Sequence, residues 1–210
     1  MIPPGKFIPQ AENSRLIQPL SEWVLDRALE QQALWRDMGL QLQMAVNIST
    51  RNLLQSDFVD ILARLMARHG TDPDSLELEI TETSLMYNPD EALAMLNRLA
   101  DVGVAISIDD FGTGYSSLQY LNTLSASIIK IDQTFIRDMT VTAGAHHIVK
   151  SSIALGHSLG YKVISEGIET PESYGQLHEM HCDVGQGYYI ARPMPAVQLT
   201  DWILEREAAN

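Results

Sequence analysis

Basic residues are scarce. Lysine and arginine total 14 against 27 aspartates and glutamates, a formal net charge of −13. That balance argues against non-specific nucleic-acid binding, which needs a cationic surface, and no DNA partner is expected. Cysteine is nearly missing. Cys182 stands alone, so no disulfide can close within the chain. Long apolar runs are missing too. None reaches the roughly 18 residues that span a bilayer, so no membrane segment is expected. The opening MIPPGKFIPQ lacks the basic start and apolar stretch of a secretory signal. These features point to a cytoplasmic protein, or to the cytosolic part of a larger sensory or membrane-linked one. No low-complexity segment, long linker or charge block interrupts the sequence. No G-x-G-x-x-G opens a helix after the first strand, which removes the main support for a dinucleotide-binding fold.

What is present is an alternation. The chain has 210 residues, 45% of them hydrophobic, enough for one domain with a sizeable core. Strand-like runs occupy 42–49, 75–81, 104–110, 127–132, 161–167 and 184–190, apolar on both parities. Helical spacing fills the intervals. A first helix starts near Pro19 and runs through Trp23, Leu25, Leu29 and Leu34. Val59, Leu62, Leu65 and Met66 share a face, as do Leu93, Leu96 and Leu99 ahead of a C-capping Gly103. A further helix stops at Gly160, and another opens with Pro171 in its first turn. Strands alternating with helices predict an α/β fold built of βα units around a parallel sheet. An open doubly wound sheet and a closed barrel both satisfy the pattern.

The polar residues sharpen it. Asn47, Glu79, Asp109 with Asp110, Lys130 with Asp132, Glu166 and Gln186 fall near the C-terminal ends of successive strands. In a parallel barrel those ends meet at one mouth, where active sites sit. Buried carboxylates scattered without partners would be costly, whereas clustered ones can hold divalent cations. Lys130 and Asp132 share a parity and can both face the lumen. Ala105, Ser107 and Asp109 also share one. Asp109 and Asp110 cannot both point inward from a regular strand, so the strand must end or turn at Asp110. Phe111-Gly112-Thr113-Gly114 supplies the freedom to do so. Carboxylates splayed from such an end can reach two cations, which suits attack on a phosphodiester. Oxygen and amide ligands without cysteine favour Mg²⁺ or Mn²⁺ over structural zinc. Bland readings exist for each residue singly. An Asp-Asp pair can cap a helix, Glu79 and Lys130 can form a core ion pair, and Asn47 can cap the next segment. The surplus of acid can serve solubility alone. His146, His147, His157, His178 and His181 form no zinc pattern. Trp23, Trp35 and Trp202 sit on helical faces as core residues.

The stretches FIPQAENSRLI (7–17), VNIS (46–49), EITET (79–83), IDDFGTGYSSL (108–118), KID (130–132), SEGIET (165–170) and QGYYIARPMP (186–195) occur in an order that resembles the EAL-domain family of cyclic-di-GMP phosphodiesterases. The resemblance covers essentially the whole chain. It implies a TIM-like (β/α)8 barrel of the EAL type and metal-dependent hydrolysis of cyclic di-GMP to linear pGpG in bacterial signalling. By motif, Asn47, Glu79 and Asp109 look like ligands of a first Mg²⁺ or Mn²⁺. Asp109, Asp110 and Glu166 look like ligands of a second. Lys130 looks like the residue that steadies the attacking water, so Lys130 and Glu166 are the catalytic candidates. Glu82, grouped with them, resembles the glutamate that anchors the loop from Phe111 to Ser117, a loop that links this family's site to dimerisation. Asp132, Gln186, Gly112, Thr113 and Gly114 look like substrate-side or supporting groups. Ser165 stands where the family usually has alanine. LSAS (124–127) replaces a version with proline and aspartate.

The family's own Glu-Ala-Leu lies on an early strand, ahead of the segment matching residues 2–17. Glu91-Ala92-Leu93 spells the tripeptide but falls in a helix, away from the mouth. A closed barrel needs about eight strands and about six are visible. Residues 1–210 therefore read as a single domain lacking its first two strands, either a truncated piece or a genuinely shortened protein. Two expectations result. Open edges favour homodimers or higher self-association. Hydrolysis by the isolated chain is impaired, on the order of a thousandfold. The alternative is a degenerate cyclic-di-GMP receptor or interaction module without turnover.

Overall fold

All six expected strands form, and each pairs in parallel with the next in sequence. They are β1 (Met44–Asn47), β2 (Leu76–Thr81), β3 (Ala105–Phe111), β4 (Ile128–Ile131), β5 (Lys162–Ser165) and β6 (Val184–Gly185). The computed structural model describes residues 2–114 and 118–209. Tyr115, Ser116 and Ser117 of the loop singled out above lie outside the described residues. Strand order 1-2-3-4-5-6 decides between the two architectures. A doubly wound sheet reverses its order at a switch point, and this one does not. The fold is α/β, a half-barrel of six parallel strands, with β1 and β6 at its edges.

Helices α1 (Pro4–Glu12), α2 (Ile17–Asp37), α3 (Thr50–Leu53) and α4 (Phe58–His69) lead up to β2. Helices α5 (Glu82–Tyr87) and α6 (Pro89–Val102) precede β3, and α7 (Leu118–Leu121) precedes β4. Then come α8 (Gln133–Asp138), α9 (Ala143–Ser158), α10 (Pro171–Glu179) and α11 (Ala196–Ala209). Among the described residues no helix is long and apolar enough to cross a membrane. Glu91-Ala92-Leu93 lies within α6. That helix ends where Gly103 turns left-handed at φ +94°, an angle that suits a residue without a Cβ.

The register sorts the strand residues into two faces. Val46, Leu78 and Ile106 align across β1–β3, and Ile80, Ile108 and Ile129 across β2–β4. They pack outward against the helices in one core cluster with Leu25, Leu29, Phe58, Leu62, Leu96 and Leu99. A second cluster joins Ile131 and Val163 to Ile136, Val149, Ile153 and Leu177. The opposite parity carries Asn47, Glu79 and Ser107 in one row. The expectation of apolar strands on both faces is therefore corrected. The inner face is largely polar, because it lines a mouth rather than a second helical layer.

Other expectations shift locally. α2 begins at Ile17 rather than near Pro19, and Trp23 is 61% exposed rather than core. Trp23 lies two residues from buried Leu25, about 200° around the helix, so the face that buries one presents the other to water. Trp35 is buried, and its indole donates to Thr200 Oγ1 at 2.8 Å, which ties α11 to α2. The strand foreseen over 184–190 stops at Gly185. Beyond it the chain wraps the Ile168 backbone, which donates to Gln186 O at 3.0 Å and accepts from Tyr189 N at 2.9 Å. A Cβ on Gly187 would lie 2.2 Å from Ile168 N and O, so only glycine allows this approach.

Candidate active site

The expected turn at Asp110 is present, and it is a bulge. Ile108 pairs with Ile129 and Phe111 with Ile131, three steps on β3 against two on β4. The extra residue is absorbed at Asp110, which takes φ +55°. β3 then resumes through Phe111 instead of ending. The bulge lets Asp109 keep the inward parity of Ser107 while Asp110 leaves the ladder's alternation.

Lys130 from β4 centres the mouth. It is 3% exposed. Its Nζ lies 2.5 Å from Glu79 Oε1, 2.6 Å from Glu166 Oε1 and 3.8 Å from Asp109 Oδ1. Asn47, at the end of β1, donates through Nδ2 to the other oxygen of Glu79 at 2.7 Å. The strand ends of β1 to β4 and the residue after β5 thus converge through one ammonium.

The balance of charge is uneven. Burial alone would lower the Lys130 pKa, but its hydrogen bonds to Glu166 and Glu79 outweigh that and raise it, so it stays charged. Glu79 and Glu166 are both pushed above the usual carboxylate value. Burial is the main cause, Lys130 offsets it only in part, and nearby Asp109 adds repulsion. Asp110 is also raised, by burial first and then by Asp109 and Asp132. One cation stands among too many anions, and the fold holds them there.

The remaining predicted residues take supporting places. Asp132 Oδ1 caps α8, accepting from Thr134 N at 2.9 Å and from the Thr134 hydroxyl. Its capping role is the bland one, yet Asp132 also lies against Asp110. Glu82 is not in the Lys130 cluster. It is buried at the start of α5, and its Oε2 accepts from Gly112 N at 2.9 Å and Gly114 N at 3.3 Å. Glu82 is therefore a positioning residue that fastens the loop after β3. Thr113 returns to Asp110 O through its amide and its hydroxyl. Gly112 has φ +96°, with the ring of Phe135 3.1 Å from where its Cβ would sit. Gln186 is exposed just past β6. Its amide donates to Ser165 O at 2.8 Å, which fixes its backbone but leaves its side chain toward solvent.

Glu77 escaped the sequence reading, and Ser107 was placed on the inward face but given no role. Glu77, 4% exposed, lies one alternation below Glu79, and its Oε1 has no partner among the described residues. Ser107 is wholly buried with its hydroxyl likewise unpartnered. Their signal was the parity they share with Glu79 and Asp109, which marks the same face deeper in the lumen.

The chemistry of the donor set fits a hard divalent cation: carboxylate and amide oxygens, in anionic surplus, with no sulfur or imidazole. As they stand, no group of three or more His, Cys, Asp or Glu among the described residues is gathered to hold an ion. Lys130 occupies one oxygen of Glu79 and one of Glu166 instead.

Comparison with known proteins gives a consistent result. The family model described as EAL domain matches residues 1–193. The chain is 40% identical over 202 residues to "Cyclic di-GMP phosphodiesterase PA2567" of Pseudomonas aeruginosa, covering 96% of this chain and 34% of that protein. It is 43% identical to "Bifunctional diguanylate cyclase/cyclic di-GMP phosphodiesterase MucR" of the same organism, covering 95% of this chain and 29% of the other. The chain thus spans about a third of the length of these curated relatives. Among solved structures, "PaMucR Phosphodiesterase, c-di-GMP complex" superposes with a TM-score of 0.89 at 43% identity, covering 94% of this chain and 81% of that one.

Proposed function

The chain belongs to the EAL domain family, and from that premise we propose that it hydrolyses cyclic di-GMP to linear pGpG at the mouth centred on Lys130. The observation that carries this reading is the sharing of the Lys130 ammonium between Glu79 and Glu166, with Asp109 beside it. Relatives named as phosphodiesterases of this dinucleotide support the choice of substrate. We read residues 1–210 as one domain of this type, acting in the cytoplasm, where a single unpaired cysteine is at home.

A phosphodiester anion would be repelled by Glu79, Asp109, Asp110 and Glu166 together, with Lys130 alone to offset them. The site therefore calls for further cations. Asn47, Glu79 and Asp109 would hold one Mg²⁺ or Mn²⁺, and Asp109, Asp110 and Glu166 a second. Such ions, when bound, activate water and steady phosphoryl and leaving oxygens. Lys130 presents its ammonium hydrogens to the attacking water. Glu79 and Glu166 keep that ammonium charged and in place. Glu82 holds the loop through Gly112 and Gly114, and so holds Asp110. In the reaction a bond forms between the water oxygen and phosphorus. The bond from phosphorus to the 3′ oxygen breaks, and that oxygen leaves as a hydroxyl with a proton from the water.

Binding without turnover is the second reading. The engagement of one oxygen of Glu79 and one of Glu166 by Lys130, in place of an ion, is the observation that favours it. Chromatography of cyclic di-GMP incubated with the chain separates the two. Formation of pGpG that requires Mn²⁺ or Mg²⁺ and stops with EDTA is expected, at a rate reduced on the order of a thousandfold from that of a complete domain. Saturable binding with no pGpG under any divalent ion would transfer the chain to the receptor class. We also propose self-association, since among the described residues β1 and β6 each pair on one side only. Sedimentation should give a species heavier than the 23.4 kDa chain, and a monomer across micromolar concentrations contradicts it.

A further inference from the structure

We infer that the first turn of α8, residues 132–135, is a spacer that holds Asp110 and Glu166 at the separation a second divalent ion needs, and so tunes that ion apart from the first. This rests on the phosphodiesterase reading of the mouth. The ligands proposed for the two ions are held in different ways. Asn47, Glu79 and Asp109 stand on strands, where the ladder fixes them. Asp110 has left the alternation at φ +55°, and Glu166 follows the last residue of β5. Neither belongs to a regular run of strand, so another element must set them. Mg²⁺ takes oxygens at about 2.0–2.1 Å in a near-octahedral array, and such a site tolerates shifts of only about 0.5 Å.

The turn touches both sides. Toward Asp110, the Asp132 carboxyl lies against the Asp110 carboxyl. The Phe135 ring backs the loop there, with Cε2 3.1 Å from where a Cβ on Gly112 would sit. Toward Glu166, Ile131 O accepts from Glu166 N at 3.1 Å. The next residue, Gly167, turns at φ +72° over Gln133. A Cβ there would overlap Gln133 Cβ and lie 3.1 Å from Gln133 Cα. The turn itself is firm. Asp132 Oδ1 caps it through Thr134 N at 2.9 Å, and Phe135 packs on the cluster that holds Ile131, Ile136 and Val163. The loop after β3 and the loop after β5 are thus each pressed on one residue of the same turn. None of these contacts involves Asn47 or Glu79.

The test is a Mn²⁺ titration of the 210-residue chain without substrate, with free Mn²⁺ read from its electron paramagnetic resonance signal. Wild type is expected to bind two ions per chain. Phe135→Ala should weaken one ion by about ten- to a hundredfold, the range for lost support around metal ligands, and leave the other unchanged. Gly167→Ala should do the same. Gln133→Gly added to Gly167→Ala should restore the ion, because the swap vacates the space that the new methyl needs. The unaltered ion reports, in the same titration, that each variant is folded. Equal weakening of both ions, wild-type binding of both in the single variants, or a double variant as impaired as Gly167→Ala overturns the spacer alone. A wild-type chain that binds no Mn²⁺, or only one ion, overturns the two-ion reading of the mouth, and the spacer with it.

Discussion

Asp26 and Lys130 each sit at the centre of an ionic cluster, and the two clusters are opposite in balance. On the outer helical layer, Asp26 of α2 meets His69 at 2.8 Å, Arg27 at 3.0 Å and Arg68 at 3.0 Å. There one carboxylate has several basic partners. Its pKa falls to about 2, chiefly through the His69 hydrogen bond and then Arg27. At the mouth one ammonium serves Glu79, Glu166 and Asp109, and the two glutamates are pushed upward by burial. The first cluster pins α4 to α2 and needs nothing more. The second carries surplus buried anions that the fold maintains at a cost. An arrangement of that kind is tolerated where incoming cations complete it, which is why perturbed carboxylates mark functional sites.

The comparison breaks most visibly at Lys130. Lys130→Met leaves Glu79 and Glu166 buried with no cation. Losing one partner of a buried pair costs about 3–5 kcal/mol. Urea unfolding at pH 7 should show a loss of that size, and pGpG formation should fall below detection. The sign with pH is also set. Both glutamates have raised folded pKa values, so the stability they contribute is greatest when protonated and lost as pH rises. Mild acid should therefore recover part of the variant's deficit. If Lys130→Met unfolds at the same urea concentration as wild type, the cluster is not the strained one.

The smallest effect is expected at Asp26. Asp26→Asn should reduce stability modestly at pH 7 and leave hydrolysis and binding unchanged. Because its folded pKa is lowered, the charged form stabilises the fold above the ordinary carboxylate value of 3.8. That contribution is lost as pH falls toward about 2. The gap in urea midpoint between wild type and Asp26→Asn should hold from pH 7 to about 5 and narrow below about 4. A gap that stays constant down to about pH 3 would remove the contrast between the two clusters.

The mouth was more legible than its surroundings. Glu79, Asp109, Lys130 and Glu166 could be read as strand-end residues because alternation has period two and each strand is closed by a local turn signal. Gly103 and Pro171 were readable for the same local reason. Trp23 was misjudged because its ring was taken for core although it stands about 200° around the helix from Leu25. The bulge at Asp110 was half visible. Adjacent aspartates required a turn, but resumption of the strand through Phe111 depends on pairing with Ile131. The wrap of Gln186–Tyr189 around Ile168 had no local signal, since it rests on one close backbone approach at Gly187. The hold of α8 between Gly112 and Gly167 joins two loops that no sequence window contains.

By itself the sequence determined the alternation of strand and helix and the polar residue at the end of each strand, because periodicity, capping and turn preference act over a few neighbouring residues. Only the tertiary structure decided that Lys130 meets Glu79, 51 positions away, and that the sheet runs in simple sequential order as a half-barrel. Several topologies bury the same apolar faces equally well. What separates them is long-range packing and the grouping of buried charges around a shared partner, and both exist only once the chain has closed on itself.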